Sequence, residues 1–125
     1  MELARRHRLQ ISVASTTVNN AFPSVAAHPT VAGDFRVVWQ DDRQQSQTGW
    51  NTWYRRTTNG GTSFSTDIRV SDLTSGAPYK NANGYAFPYG DYLDLSVGPD
   101  GVNQVTWGEG ASYTGPGGCW TAHGQ

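Results

Sequence analysis

A single cysteine, Cys119, stands among the 125 residues, so no internal disulfide can form. Charge of one sign is scarce as well. Lys and Arg number 9 against 10 Asp and Glu, a net of −1, and that balance excludes the basic footprint of a nucleic-acid binder. No apolar run approaches the roughly 20 residues of a membrane span. No stretch keeps apolar residues at i, i+3, i+4 and i+7, so no helix is expected. No secretory leader is expected in the first residues either. Arg5, Arg6, His7 and Arg8 imitate a basic start, but the stretch after them is broken by Gln10, Ser12, Ser15, Thr16 and Thr17. It falls short of the about 7–15 apolar residues a leader needs. His7, His28 and His123 are scattered without metal-ligand spacing, and no Gly-x-Ser-x-Gly or P-loop pattern occurs. Neither a cofactor nor a metal is expected.

What is present points to β-structure. Gly numbers 15, Tyr 6 and Trp 5, and short alternating runs are separated by turn residues throughout. Strands are expected over 24–27, 35–40, 51–56 and 64–71. In the second of these, Phe35, Val37 and Trp39 share one face at period two. Together the four predict one antiparallel four-stranded sheet. The pattern then begins again: Phe22-Pro23 recurs as Phe87-Pro88, Trp39 as Trp107 and Trp53 as Trp120. By subtraction of those residue numbers the offsets are 65, 68 and 67. A near-constant offset is the mark of an internal repeat. In the new unit Leu93, Leu95 and Val97 open the first strand, Val105 and Trp107 sit in the second, and Trp120 and Ala122 in the third. The start of the chain fits the same frame, because Leu9-Gln10-Ile11-Ser12 reads like Ile68-Arg69-Val70-Ser71. The expected organisation is an end strand at 9–13, a full unit at 22–71, and most of another at 86–125.

One segment carries a family likeness. Thr57-Thr58-Asn59-Gly60-Gly61-Thr62-Ser63-Phe64 resembles the Asp box (BNR repeat) of sialidase-like β-propellers, in which Ser/Thr-x-Asp-x-Gly-x-Thr/Ser precedes an aromatic residue. Thr57, Gly61, Ser63 and Phe64 fit directly, and Asn59 takes the place of the aspartate. As a turn, the segment is expected to use the Asn59 side chain to hold backbone N–H groups two residues on. Gly60 and Gly61 would take the positive φ, and Phe64 would plug the sheet. Val38-Trp39-Gln40-Asp41-Asp42-Arg43, Tyr89-Gly90-Asp91-Tyr92 and Trp107-Gly108-Glu109-Gly110 are similar to phrases of secreted bacterial members of that family. The resemblance spans essentially residues 9–125. It implies an all-β fold of antiparallel four-stranded blades, about two of them, from an incomplete propeller. It also implies a secreted parent protein, with exo-sialidase or other glycoside hydrolase activity on glycans as one expectation. The alternative is a non-catalytic propeller that binds a glycan or a protein.

If the units are blades, the loops after the second and fourth strands open on one face, here 41–50, 72–90 and 108–118. Loops on a rigid scaffold are where binding concentrates. The candidate ligand-binding residues are Asp41, Asp42, Arg43, Tyr89, Asp91, Tyr92, Glu109 and Tyr113, with Trp50, Tyr79 and Lys80 nearby. Aromatic plates beside acids suit a sugar. The competing reading makes Asp41-Asp42-Arg43 a local ion pair and Asp91 a strand cap. Glu109, between two glycines, is expected to be exposed and flexible. Sialidases hold the substrate carboxylate with three arginines, through paired N–H···O bonds. The family's early Arg-Ile-Pro is missing here, and only Arg43 has a suitable position. No catalytic residue transfers, and the chain alone is expected to be inactive. Two blades would leave an apolar sheet face open on each side, to be covered by further blades or by self-association.

Overall fold

The computed structural model describes residues 9–12, 15, 17–45, 49–71, 80–81, 84–85, 92–110 and 117–125. Of the sequence candidates, Tyr79, Tyr89, Asp91 and Tyr113 lie outside the described residues, as does the Phe87-Pro88 landmark. The fold is all-β, with no helix among the described residues. Strands β1 (Asn20–Ala27), β2 (Phe35–Gln45), β3 (Gly49–Thr57) and β4 (Ile68–Arg69) form a four-stranded sheet in that order. A two-rung ladder joins β5 (Lys80–Asn81) to β6 (Gly84–Tyr85). Strands β7 (Leu93–Val97), β8 (Asn103–Gly110) and β9 (Gly117–Gly124) form a three-stranded sheet, again in chain order. Neighbouring strands run antiparallel in all three sheets.

The register sorts the side chains of the first sheet onto two faces. Val37 lies opposite both Val25 and Arg55, and Trp39 opposite Trp53. This Trp face gathers Val37, Trp39 and Trp53, with Phe35, Phe64 and Ile11 packed against them. One residue out of phase, Val38 lies between Ser24 and Tyr54. On this second face Val38 and Tyr54 form one cluster with Leu95, Val105 and Trp107 of the other sheet. The two sheets therefore stack, and the Trp face of the second sheet meets the Val38–Tyr54 face of the first. Asn103 Nδ2 donates to the Tyr54 hydroxyl at 3.2 Å, a polar tie across that interface.

The repeat read from the residues is present in the register. Val37 and Trp39 of β2 correspond to Val105 and Trp107 of β8, each pair at the same position of a middle strand. Val25, opposite Val37, corresponds to Leu95, opposite Val105. Leu95 is only 5% exposed because the first sheet covers it, whereas Val25, on the edge strand β1, is 65% exposed. The far face of the second sheet is different. Its rows run Asp94–Thr106–Thr121 and Ser96–Gln104–His123, all exposed. Among the described residues the first sheet leaves Val25 exposed beside the buried Val37, Trp39 and Trp53, and the far face of the second sheet is polar, so the expectation of an open apolar face on each side is corrected. Polar side chains at period two face water on one side of a half-buried antiparallel sheet.

Several strand limits also differ from expectation. β1 starts at Asn20 and runs through Phe22-Pro23, with a register shift between Ala21 and Ser24. Phe22 takes φ 53, and an edge strand tolerates the proline, which has no N–H to offer. The expected strand over 64–71 shrinks to Ile68–Arg69. Phe64 turns aside onto Phe35, edge to face at 5.7 Å between centroids, and Asp67 is drawn to Arg43 and Arg55.

Candidate functional site

The middle strands carry one device twice. In β2, Trp39 Nε1 donates to Asp41 Oδ2 at 2.8 Å; in β8, Trp107 Nε1 donates to Glu109 Oε2 at 2.5 Å. Side chains two residues apart on a strand share a face, so each indole N–H reaches the carboxyl beside it. All four residues are buried. Buried indole N–H and carboxylate groups need partners, and each supplies the other's. Glu109 lies within β8 and is 2% exposed, which corrects its expected place in an exposed, flexible loop.

Asp41, Asp42 and Arg43 are likewise strand residues and not loop residues, because β2 continues to Gln45. Trp50 is in β3 and buried. Asp42 accepts hydrogen bonds from the Asn19 backbone N–H at 2.8 Å and from Asn19 Nδ2 at 2.6 Å. Asp41 accepts from Arg43 Nε at 2.9 Å and from Arg43 Nη2 at 2.6 Å, beside the Trp39 bond. Arg43 Nη1 also pairs with Asp67, whose second oxygen pairs with Arg55. The Arg43 guanidinium lies 3.9 Å from the centroid of the Trp53 ring, a cation–π contact. The local ion-pair reading of Asp41-Asp42-Arg43 therefore describes their geometry. Both carboxyls are engaged by neighbours within the chain, and Arg43 has its fork filled by two acids.

At the opposite end of the first sheet a second network joins Asp34 to Arg36 and Arg56. Arg56 clasps Asp34 through Nε at 3.0 Å and Nη2 at 2.6 Å, while Arg36 Nη1 approaches it to 3.0 Å. Neither this cluster nor Asp67 stood out in the sequence. Arg56, Arg43 and Arg55 lie 12 to 24 positions from the acids they meet, and reach them only once the strands are paired; Arg36 alone is near, two residues from Asp34.

Electrostatics follow from these contacts. The Arg56 hydrogen bonds hold the Asp34 carboxyl below its ordinary 3.8, against the opposing effect of burial, with the Arg36 and Arg56 charges adding to the lowering. Burial pushes Asp67 up, but its hydrogen bonds and charge pairing with Arg43 and Arg55 outweigh that, and the net shift is downward. A carboxyl whose pKa is lower folded than unfolded stabilises the fold fully above its unfolded value, and that stability is lost as pH falls through the folded one. Stability should hold from neutrality down to about pH 4 and fall below it. Acid titration followed by circular dichroism checks this, and Asp34→Asn should flatten the fall.

The Thr57–Phe64 segment forms the turn after β3. Asn59 Oδ1 accepts from the Ser63 N–H at 3.0 Å and from the Thr57 hydroxyl at 2.9 Å, and Asn59 Nδ2 donates to Ser63 Oγ at 2.9 Å. The Asn59 side chain thus reaches the backbone four residues on instead of two, and Thr57 Oγ1 takes the Gly61 N–H at 3.1 Å. Gly60 and Gly61 adopt φ 70 and 88, and an added Cβ on Gly61 would stand 3.2 Å from the Phe35 ring. Asn59→Ala should cost about 1–2 kcal/mol by removing three bonds of a partly exposed turn. Asn59→Asp should be neutral or gain about 0.5 kcal/mol, since a carboxylate strengthens bonds from Ser63 and Thr57. Urea unfolding of both variants measures the pair.

Tyr92, just before β7, is 85% exposed, and the register sets it beside the Gly108 end of β8. It is the candidate among the described residues whose side chain is free for a ligand. No group of three or more His, Cys, Asp or Glu side chains converges among the described residues.

Fold and site together define an all-β protein of two stacked antiparallel sheets, each braced by a Trp–carboxyl bond in its middle strand. Compared with known proteins, the chain matches no family profile, no curated protein and no solved structure.

Proposed function

We propose that the chain contributes two consecutive blades to a sialidase-like β-propeller and serves as a non-catalytic scaffold, taking a glycan or a protein at the sheet ends around Tyr92. The observation that carries this reading is the one-way stacking of equivalent sheets. The Trp face of one sheet lies on the Val38–Tyr54 face of its predecessor, and the same Trp–carboxyl bond recurs 68 positions on, by subtraction of residue numbers. Sheets stacked in this sense around an axis make a propeller. The Asn59 turn, in the place of an Asp box, agrees with it.

Exo-sialidase chemistry in the parent protein, the other expectation of the resemblance, draws no support from the described acids. Asp41, Asp42 and Glu109 are buried and hydrogen-bonded inside the sheets, and Arg43 is held between Asp41 and Asp67. An arginine with both edges of its fork filled has no bidentate site left for a substrate carboxylate.

Titration with a sialylated trisaccharide, followed by NMR at Tyr92, tests the reading. A shift of the Tyr92 ring signals that is lost in Tyr92→Ala, without release of sialic acid, is the expected result. Release of sialic acid that disappears in a folded Glu109→Gln variant contradicts the non-catalytic reading. An unmoved Tyr92 removes the glycan and leaves a protein ligand.

A further inference from the structure

On the turn after β3, Asn59 is followed by Gly60, and both are exposed to water. An asparagine in front of a glycine can modify itself. The backbone nitrogen of the glycine attacks the side-chain amide carbon, and no Cβ stands in its way. Three features of this turn bear on that reaction. Asn59 Oδ1 accepts from the Ser63 N–H at 3.0 Å and from the Thr57 hydroxyl at 2.9 Å, and both bonds polarise the amide carbon. Two donors aimed at one carbonyl oxygen also steady the oxyanion that forms when the carbon is attacked. The nucleophile, by contrast, is held back, because the Gly60 N–H donates to the Gly33 carbonyl at 2.9 Å. Lastly, the product fits. A carboxylate keeps both bonds to Oδ1, and Ser63 Oγ, which accepts from Asn59 Nδ2 at 2.9 Å, turns its own proton toward the second oxygen.

We propose that Asn59-Gly60 is a self-modification site, gated by the Gly33 carbonyl, at which Asn59 becomes aspartate within the folded turn. Water is the only co-reactant. When the Gly33–Gly60 bond opens, the Gly60 nitrogen gives its proton to solvent hydroxide and bonds to the Asn59 side-chain carbon. The bond from that carbon to Nδ2 breaks, and Nδ2 leaves as ammonia with a proton from water. Water then adds to the cyclic imide and breaks one of its two C–N bonds. Opening at the former side-chain carbon gives aspartate and restores the Gly60 N–H. Opening at the Asn59 main-chain carbon gives isoaspartate, which lengthens the main chain of a turn whose bonds run from Thr57 to Ser63. The Ser63 and Thr57 donors stand at the oxygen of the former side-chain carbon, so they direct the opening to aspartate. Loss of ammonia makes the change one-way, and the converted fraction records how often the turn has opened.

Incubation of the full chain at mildly alkaline pH tests this, with peptide mapping that resolves aspartate from isoaspartate. Mapping also keeps Asn59 apart from Asn83, the other asparagine that precedes a glycine. The folded chain should convert at Asn59 roughly tenfold more slowly than the chain in urea, the weight of the one or two hydrogen bonds that must open first. It should yield mainly aspartate where the unfolded chain yields mainly isoaspartate. Gly33→Ala disturbs the gate, since at φ 78 its added Cβ would stand 3.2 Å from the Gly60 nitrogen. It should speed conversion several-fold and keep the aspartate excess. Thr57→Val removes one donor to Oδ1 at nearly constant shape and should lose that excess. A Gly33→Ala rate equal to that of the unsubstituted chain overturns the proposal. If either variant fails to fold, the unsubstituted chain in buffer and in urea decides alone. No conversion at Asn59 in buffer while the urea sample runs to completion, an equal rate in both, or an equal product ratio in both each overturns it.

Discussion

Trp107→Ala is expected to destabilise the protein by about 3–5 kcal/mol, a large share of a small domain's stability. Trp107 sits where the two sheets meet, against Val38, Tyr54, Leu95 and Val105. Its removal opens a cavity in the one cluster that both sheets share, and it takes the indole N–H from Glu109 in the same stroke. Trp107→Phe separates these losses. Most of the ring volume stays while the donor to a buried carboxyl goes, so about 1–3 kcal/mol should be lost. Urea unfolding of both variants gives the comparison. Equal losses would mean that the Trp–Glu109 bond carries the effect, whereas a much larger loss in Trp107→Ala assigns it to the sheet interface.

Arg43→Ala should cost about 3 kcal/mol, the lower end of the range for breaking a buried ion pair. Arg43 is partly exposed, so water screens some of the loss, but Asp41 is fully buried and would lose its cation. Asp67 would keep only Arg55, and the Trp53 ring would lose its cover. Arg43→Lys should recover only part of this, since an ammonium cannot span Asp41 and Asp67 as a planar fork or lie flat on an indole. Thermal unfolding of the two variants measures the gap. If Arg43→Ala proves neutral, the network is a surface ornament, and Arg43 would be free to meet a ligand.

Where the side-chain period was clean, the sequence was legible. Alternation through Phe35, Val37 and Trp39 placed β2, and the recurrence of Trp39 as Trp107 and Trp53 as Trp120 foretold two units whose registers match. The Thr57–Phe64 turn was legible too, although its hydrogen bonds reach further than a two-residue Asx turn. The acids were not. Asp41, Asp42 and Glu109 read as loop residues because charged groups seldom enter strands unpaired. Their partners made the difference: Trp39 and Trp107 lie two residues away, but the Asn19 that satisfies Asp42 lies 23 positions off. Asp34 and Asp67 escaped notice for the same reason, since Arg56, Arg43 and Arg55 lie 12 to 24 positions from them. The polar far face of the second sheet was written in Asp94, Ser96, Gln104, Thr106 and Thr121. Reading it required knowing which face of β7 turns toward Val38.

The central claim is that equivalent sheets stack in one direction, Trp face onto the Val38–Tyr54 face. Nuclear Overhauser contacts from the Trp107 ring test it most directly. The account predicts contacts to the Val38 methyls and the Tyr54 ring, with the Val25 methyls free of any contact to the second sheet. Contacts from Trp107 to Val37 or Trp39 would place the second sheet on the opposite face of the first, and would contradict the repeat.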